Sequence, residues 1–297
     1  MHPAEDHTRG VVAMVLGVAA FAAHDMVGKL VVEEYPVAQM LALRAGIAML
    51  ILLVAAWRRG GLPPLHREVL GLHVVRLASM LGAIFLFFTA LQTLQLATAT
   101  AIAFGAPFVM LALSVPVLGE RVPPAAWGAV VVGFLGVLVI VRPGPEGVEP
   151  AALLAVGASV LYAVGMLTTR RLGRTDTVFG MMFWMIAGQF VVALAVVPFV
   201  WEPVEARHWA LLAGLACLNL LGQLGLIHAF ANAPVSVVAP FEYTALVWAG
   251  LLGFAVFGDV PPATVWIGAA LIVVSGTYAT LRTRPTADPV PLPGQSA

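Results

Sequence analysis

Seven ionisable side chains stand inside long apolar runs of this sequence: His24, Asp25 and Lys29, then Arg44, then His73 and Arg76, and finally Glu242. A charge in such surroundings is costly, and by default it marks a pathway or a site. Asp25 and Lys29 share a helix face at i, i+4 spacing, and His73 and Arg76 share one at i, i+3. The chemistry open to these groups is electrostatic. A carboxylate and a guanidinium can hold each other, hold a charged solute, or pass on a proton. Judged by depth along the chain, Asp25 is expected to pair with Arg44 and Arg76 with Glu242, while Lys29 snorkels to the outer interface. Histidine ordinarily changes charge near neutral pH, which makes His24, Asp25 and Glu242 the candidates for proton coupling. The plainer alternative is that these pairs only hold helices together.

Neutral polar groups add to the set. Asn219 and Gln223 lie one helical turn apart, and Tyr162 and Gln189 stand alone in apolar surroundings; each can bond a neighbouring helix or a solute. His228 reads as an interfacial histidine. Nothing in the sequence supports catalysis, a cofactor or a metal. No Gly-x-Ser-x-Gly, His-Glu-x-x-His or Walker-type loop occurs, and Cys217 is the one cysteine. Without an ATP site, any pumping must draw on an ion gradient or on exchange.

The elements that position these residues follow from composition. The chain is 61% hydrophobic and 10% charged, with a mean hydropathy of +0.98, whereas soluble globular proteins carry roughly 25% charged residues. The net charge of zero gives no sign of nucleic acid as a partner. About 20 apolar residues form a helix that crosses a bilayer. Ten such spans can be traced, at 10–32, 36–57, 69–91, 96–118, 123–142, 150–170, 179–200, 208–230, 234–257 and 262–282. The expected fold is therefore an all-α polytopic membrane protein with lipid around it. Loop arginines set its orientation. Arg9, Arg58, Arg59, Arg67, Arg121, Arg170, Arg171, Arg174, Arg282 and Arg284 fall on one side, against Arg142 and Arg207 on the other, which puts both termini in the cytoplasm. Ala20-Phe21-Ala22 resembles a cleavage site, but Glu5 and Asp6 precede it and apolar character resumes through Val32. The proline-rich stretch 283–297 reads as a disordered cytoplasmic tail. A single lysine among fifteen basic residues, with abundant Ala, Val and Gly, suggests a GC-rich bacterial genome.

The spans repeat. Phe104-Gly105-Ala106-Pro107 interrupts span 4, and Gly119-Glu120-Arg121-Val122-Pro123-Pro124 follows as a bend. Pro240-Phe241-Glu242-Tyr243 interrupts span 9, and Gly258-Asp259-Val260-Pro261-Pro262 follows. Pro123 and Pro261 are 138 residues apart, close to half the chain, so residues 10–142 and 150–282 read as two copies of one five-span unit. Five is odd, so the copies enter the membrane from opposite sides, as inverted repeats do in many secondary transporters. Such folds bind their solute near the midplane, where broken helices from both halves meet. Pro107 and Pro240 each remove an intrahelical donor and supply those breaks. Ala13 and Gly17, Gly133 and Gly136, and Gly222 and Gly225 allow close helix approach, and the glycine face of span 5 offers a contact for a homodimer.

The chain resembles the drug/metabolite transporter superfamily, specifically its ten-helix EamA-type members. The likeness is carried by Leu118-Gly119-Glu120-Arg121, Arg44, Pro107 and the run Ala239-Pro240-Phe241-Glu242-Tyr243-Thr244-Ala245-Leu246, and it covers nearly all of residues 10–282. Gly258-Asp259 departs from the family's usual Gly-Glu and keeps the charge. The resemblance implies alternating access around a cavity lined by helices 1, 3, 4, 6, 8 and 9, with helices 5 and 10 outside. Asp25, Arg76, Thr100, Tyr162, Asn219, Gln223 and Glu242 would face that cavity, beside Arg44. The expected function is secondary transport of small organic metabolites, amino-acid-like or drug-like, out through the bacterial cytoplasmic membrane, coupled to protons or to a counter-substrate. Uptake of a vitamin, nucleoside or similar metabolite is the alternative. An intramembrane enzyme acting on lipid-linked substrates would need a clustered nucleophile and base at one membrane face, and the polar groups here are scattered through mid-span.

Overall fold

The computed structural model describes residues 4–119, 122–143, 148–173, 175–233 and 235–282, and among them it contains helices and no strand. The predicted tail and the Glu120 position lie outside the described residues. Twelve α-helices follow in order: α1 Ala4–Glu34, α2 Val37–Arg58, α3 Leu70–Leu91, α4 Leu96–Ala103, α5 Ala106–Leu118, α6 Pro124–Val141, α7 Pro150–Leu172, α8 Val178–Val196, α9 Trp209–Asn232, α10 Val235–Val238, α11 Thr244–Phe257 and α12 Ala263–Arg282. Span 4 is α4 plus α5. Span 9 is α10, a 3₁₀ stretch over Ala239–Tyr243, and α11. Among the described residues, nine segments are long and apolar enough to cross a membrane, and Ala126–Val141 is a shorter tenth.

The helix ends reflect local chemistry. Gly119 and Gly258 close the bends after spans 4 and 9, both at φ 70°, a conformation that costs a residue with a Cβ. At the second bend the Gly258 N–H donates to Phe254 and the Asp259 N–H reaches back to Gly253. The same cap at equivalent positions marks the repeat in three dimensions.

The helices pack in four main pairs. Spans 1 and 8 (α1 and α9) pack along each other, and so do their counterparts, spans 6 and 3 (α7 and α3). Spans 5 and 10 (α6 and α12) pair with each other, as do spans 2 and 7 (α2 and α8), each pair being its own counterpart.

Small residues set the closest contacts, because membrane helices gain mainly from packing. A Cβ on Gly17 would lie 3.0 Å from the Gly222 carbonyl oxygen, so α1 and α9 touch backbone to backbone. A Cβ on Gly136 would lie 2.8 Å from the Gly268 oxygen, between α6 and α12, and Gly133 lies under the Phe108 ring. The glycine face of span 5, expected to be free for a homodimer, is thus filled within the chain. The outer faces of α6 and α12 expose Val131, Leu135, Ile267 and Val274, as lipid-facing helices do.

Candidate functional site

The interruptions of spans 4 and 9 meet. Helix α4 ends at Ala103, and α5 restarts at Ala106 with Pro107 in its first turn, where proline's missing N–H costs nothing. The break therefore falls just ahead of the proline, at Phe104 and Gly105. A Cβ on Gly105 would lie 3.0 Å from Val137 on α6, so the break sits tightly among its neighbours. In span 9, Pro240 opens the 3₁₀ stretch whose later residues are Glu242 and Tyr243. Mid-helix 3₁₀ turns often mark a functional hinge. The Tyr243 ring lies 5.1 Å from the Phe104 ring, and its hydroxyl fills the space above Gly276 on α12.

Glu242 is partly accessible and, among the described residues, has neither an ion pair nor a hydrogen bond. Its carboxylate interacts through charge with the hydroxyls of Tyr162 on α7 and of Tyr243 beside it. Tyr162 is 47% exposed. A cavity of ≈ 210 Å³ opens alongside, between α5 and α12, lined among others by Pro107, Phe108, Ser114, Tyr243 and Thr280.

Around this junction the other charges form closed sets. Arg44 Nη1 lies 3.2 Å from His24 Nε2. A guanidinium only donates, so Nε2 accepts, and the proton on Nδ1 faces Asp25 Oδ1 at 2.9 Å. The expected Asp25–Arg44 pair is therefore bridged by His24, which packs edge-on to Phe88 at 5.8 Å. Lys29 does not snorkel. At 7% exposure it donates to the Leu94 carbonyl at 3.0 Å and to Asp259 at 3.4 Å, with its nitrogen 4.6 Å from the Phe257 ring centroid. An ammonium at that depth is better stabilised by a partner than by a long reach to water. Arg76 does not meet Glu242 either. It donates to Thr169 Oγ1 at 2.7 Å and to the Met181 carbonyl at 2.8 Å, because α3 packs along α7 with α8 on its other side.

These contacts divide by end. The end of the bundle where α1 begins is called the near end, and the opposite one the far end. Beyond the Lys29–Asp259 contact, the far end holds Tyr35 with His208 at 2.8 Å, the Glu205 N–H on Tyr35 at 3.1 Å, and Gln39 bonded twice to the Glu202 backbone at 2.7 Å. The near end holds His73 with Asp176 at 3.0 Å and Arg171 on the Val117 carbonyl. Tyr35 and Asp176 occupy the turn after the first span of their repeats, and His208 and His73 the start of the third span. The two seals are counterparts.

The EamA-like transporter family matches the sequence twice, over residues 8–142 and again over 149–281. The chain belongs to the EamA-like transporter family. Similar proteins include the pseudopaline exporter CntI of Pseudomonas aeruginosa, 29% identical over 90% of this chain and 94% of that protein. The riboflavin transporter of Rhizobium johnstonii is 28% identical over 91% and 90%. The S-adenosylmethionine uptake transporter of Rickettsia felis is 28% identical over 59% and 60%. A solved structure covering 92% of this chain and 97% of its own aligns with a TM-score of 0.59 at 20% identity, which shows a shared fold. This EamA-like chain is thus a multi-pass membrane protein of a family of small-molecule transporters.

Within the EamA-like fold, Tyr162 lies on α7 and Glu242 in the 3₁₀ stretch of span 9. The structure joins Asn219 and Gln223 to each other at 3.0 Å and buries Thr100 in α4. Gln189 lines a separate apolar cavity of ≈ 290 Å³ among α2, α3 and α8. The residues that sequence reasoning missed are Asp259, Asp176, Tyr35, Gln39 and His208. Their common signal was a polar side chain in a short connection at the depth of a buried charge on another span.

Proposed function

We propose that this EamA-like chain is a secondary carrier that exports small organic solutes across the bacterial inner membrane by alternating access, with both termini cytoplasmic. The observation that carries the reading is the meeting of two broken helices, one from each repeat, at Phe104 and Tyr243 with an accessible carboxylate in the break. Broken helices at a repeat interface are where such carriers hold their solutes. The pathway is assigned to Glu242, Tyr162, Asn219, Gln223, Thr100 and Asp25. Arg44 and Arg76 act as supports, because their donors are taken by His24 and by Thr169 and Met181.

Three features support export. Counterpart seals hold both ends, the far end adds the Lys29–Asp259 contact among the described residues, and the cavity beside Tyr243 lies towards the near end. Loop arginines put the near end in the cytoplasm, so the latched state is poised to load from there. The pseudopaline exporter also aligns over most of its length. A proton or an exchanged solute supplies the driving force, since no nucleotide-binding motif is present. Uptake is the second reading, favoured by the riboflavin and S-adenosylmethionine relatives. Purified protein in proteoliposomes tests the carrier mechanism. Saturable flux of a labelled solute, accelerated by unlabelled solute on the trans side, is expected. Linear flux without trans-acceleration means a channel and overturns it.

A further inference from the structure

Among the described carboxylates that are not exposed, the ion pairs and hydrogen bonds leave one over. Arg44 is tied to His24, and His24 to Asp25. Lys29 is tied to Asp259 and the Leu94 carbonyl, Arg76 to Thr169 and Met181, and His73 to Asp176. Every one of these basic side chains already has an acceptor. Glu242, in the break of span 9, has no cation and no donor among the described residues. An isolated carboxylate in a membrane is expensive to hold. No local ion pair offsets that cost, so the charge is met either by a proton or by a cation that visits the site.

The surroundings point to the visitor. Tyr243 follows Glu242 in the same 3₁₀ stretch, the Phe104 ring lies 5.1 Å from the Tyr243 ring at a tilt of 42°, and Tyr162 on α7 is within electrostatic reach of the Glu242 charge. Aromatic faces carry negative potential and attract cations, most strongly where water is scarce. A carboxylate set among aromatic rings suits a positively charged nitrogen. It does not suit an anionic solute, which would need a guanidinium or ammonium freed from an existing partner.

Resting on the carrier reading above, we propose that Glu242 with Tyr162, Tyr243 and Phe104 forms the recognition site for the ammonium group of an amine-bearing, cationic solute. The negative charge of the solute, if it has one, is not what this site reads.

The test uses full-length purified protein and three probes of one size and shape: phenethylamine, phenethyl alcohol and 3-phenylpropionate. Binding is read by thermal stabilisation, because a ligand of the folded form raises its apparent stability. Phenethylamine should bind at least tenfold more tightly than the alcohol or the acid. Glu242→Gln should abolish that preference, and Glu242→Asp, which keeps the charge, should retain it. The melting temperature of ligand-free Glu242→Gln shows whether the variant is folded. Equal or tighter binding of 3-phenylpropionate, amine binding indifferent to Glu242→Gln, or no stabilisation by the amine would each overturn the proposal. Proton uptake at Glu242 without amine binding would do so too. Anion preference combined with trans-accelerated flux removes this site and leaves the carrier. Glu242-dependent amine binding without trans-acceleration removes the carrier and leaves the site.

Discussion

Opening of the far end should be governed by Lys29 and Asp259. The two side chains are 9% and 22% exposed and lie 3.4 Å apart, joining α1 to the bend between α11 and α12. Removing one partner of a fully buried pair costs about 3–5 kcal/mol, and an exposed pair contributes only about 0–1 kcal/mol. This pair lies between those limits, and Lys29 keeps its bond to Leu94 when Asp259 is replaced. We therefore expect Asp259→Asn to weaken the latch by about 1–2 kcal/mol, which shifts the open population about 5- to 30-fold. A suitable reporter is Leu96→Cys in a Cys217→Ala background. Leu96 is fully buried, at the start of α4 where it packs on α11. The reaction of this reporter thiol with an impermeant reagent should accelerate by that factor in Asp259→Asn. Lys29→Gln should match or exceed it, and the double variant should add little. An unchanged labelling rate in both single variants would refute the latch.

Two further outcomes follow from packing and hydrogen bonding. In Gly225→Ala the new methyl meets backbone, with the Ala13 oxygen at 2.9 Å, so melting should reveal a loss of about 1–3 kcal/mol or more; Gly128→Ala, with nothing within 4 Å, should gain about 0.5–1 kcal/mol. Tyr35→Phe removes the bonds to His208 and from Glu205, at about 1 kcal/mol each, and should speed labelling of the Leu96→Cys reporter as well as lower the melting temperature.

Much of the architecture was legible in the sequence. Glycines such as Gly17, Gly222 and Gly136 have few reasons to stand in apolar helices other than close packing, and they pack closely. Gly119 and Gly258, each ahead of a bend, announced left-handed caps. The breaks were legible through Pro107 and Pro240, although they fall ahead of Pro107 and spread across five residues around Pro240.

Pairing was harder to read. Depth along a helix follows from counting residues, but the direction a side chain faces depends on which neighbour packs there. Arg76 and Glu242 share a depth and face different helices. Lys29 was placed near the outer interface, and only the fold of the 258–262 bend brings Asp259 to it. His24 was read as a proton carrier on its neighbour's account; its role as the bridge to Arg44 needs α2 in position.

The account stands on the antiparallel relation of the two halves. The connection between α2 and α3 and the one between α8 and α9 hold the same place in their repeats, with Gly61 and Glu202 exposed in each. Single cysteines at these positions, in the Cys217→Ala background, can be labelled with an impermeant maleimide in sealed right-side-out vesicles. The Glu202 position should react from outside, and the Gly61 position only after the vesicles are opened. Labelling of both from the same side would contradict it.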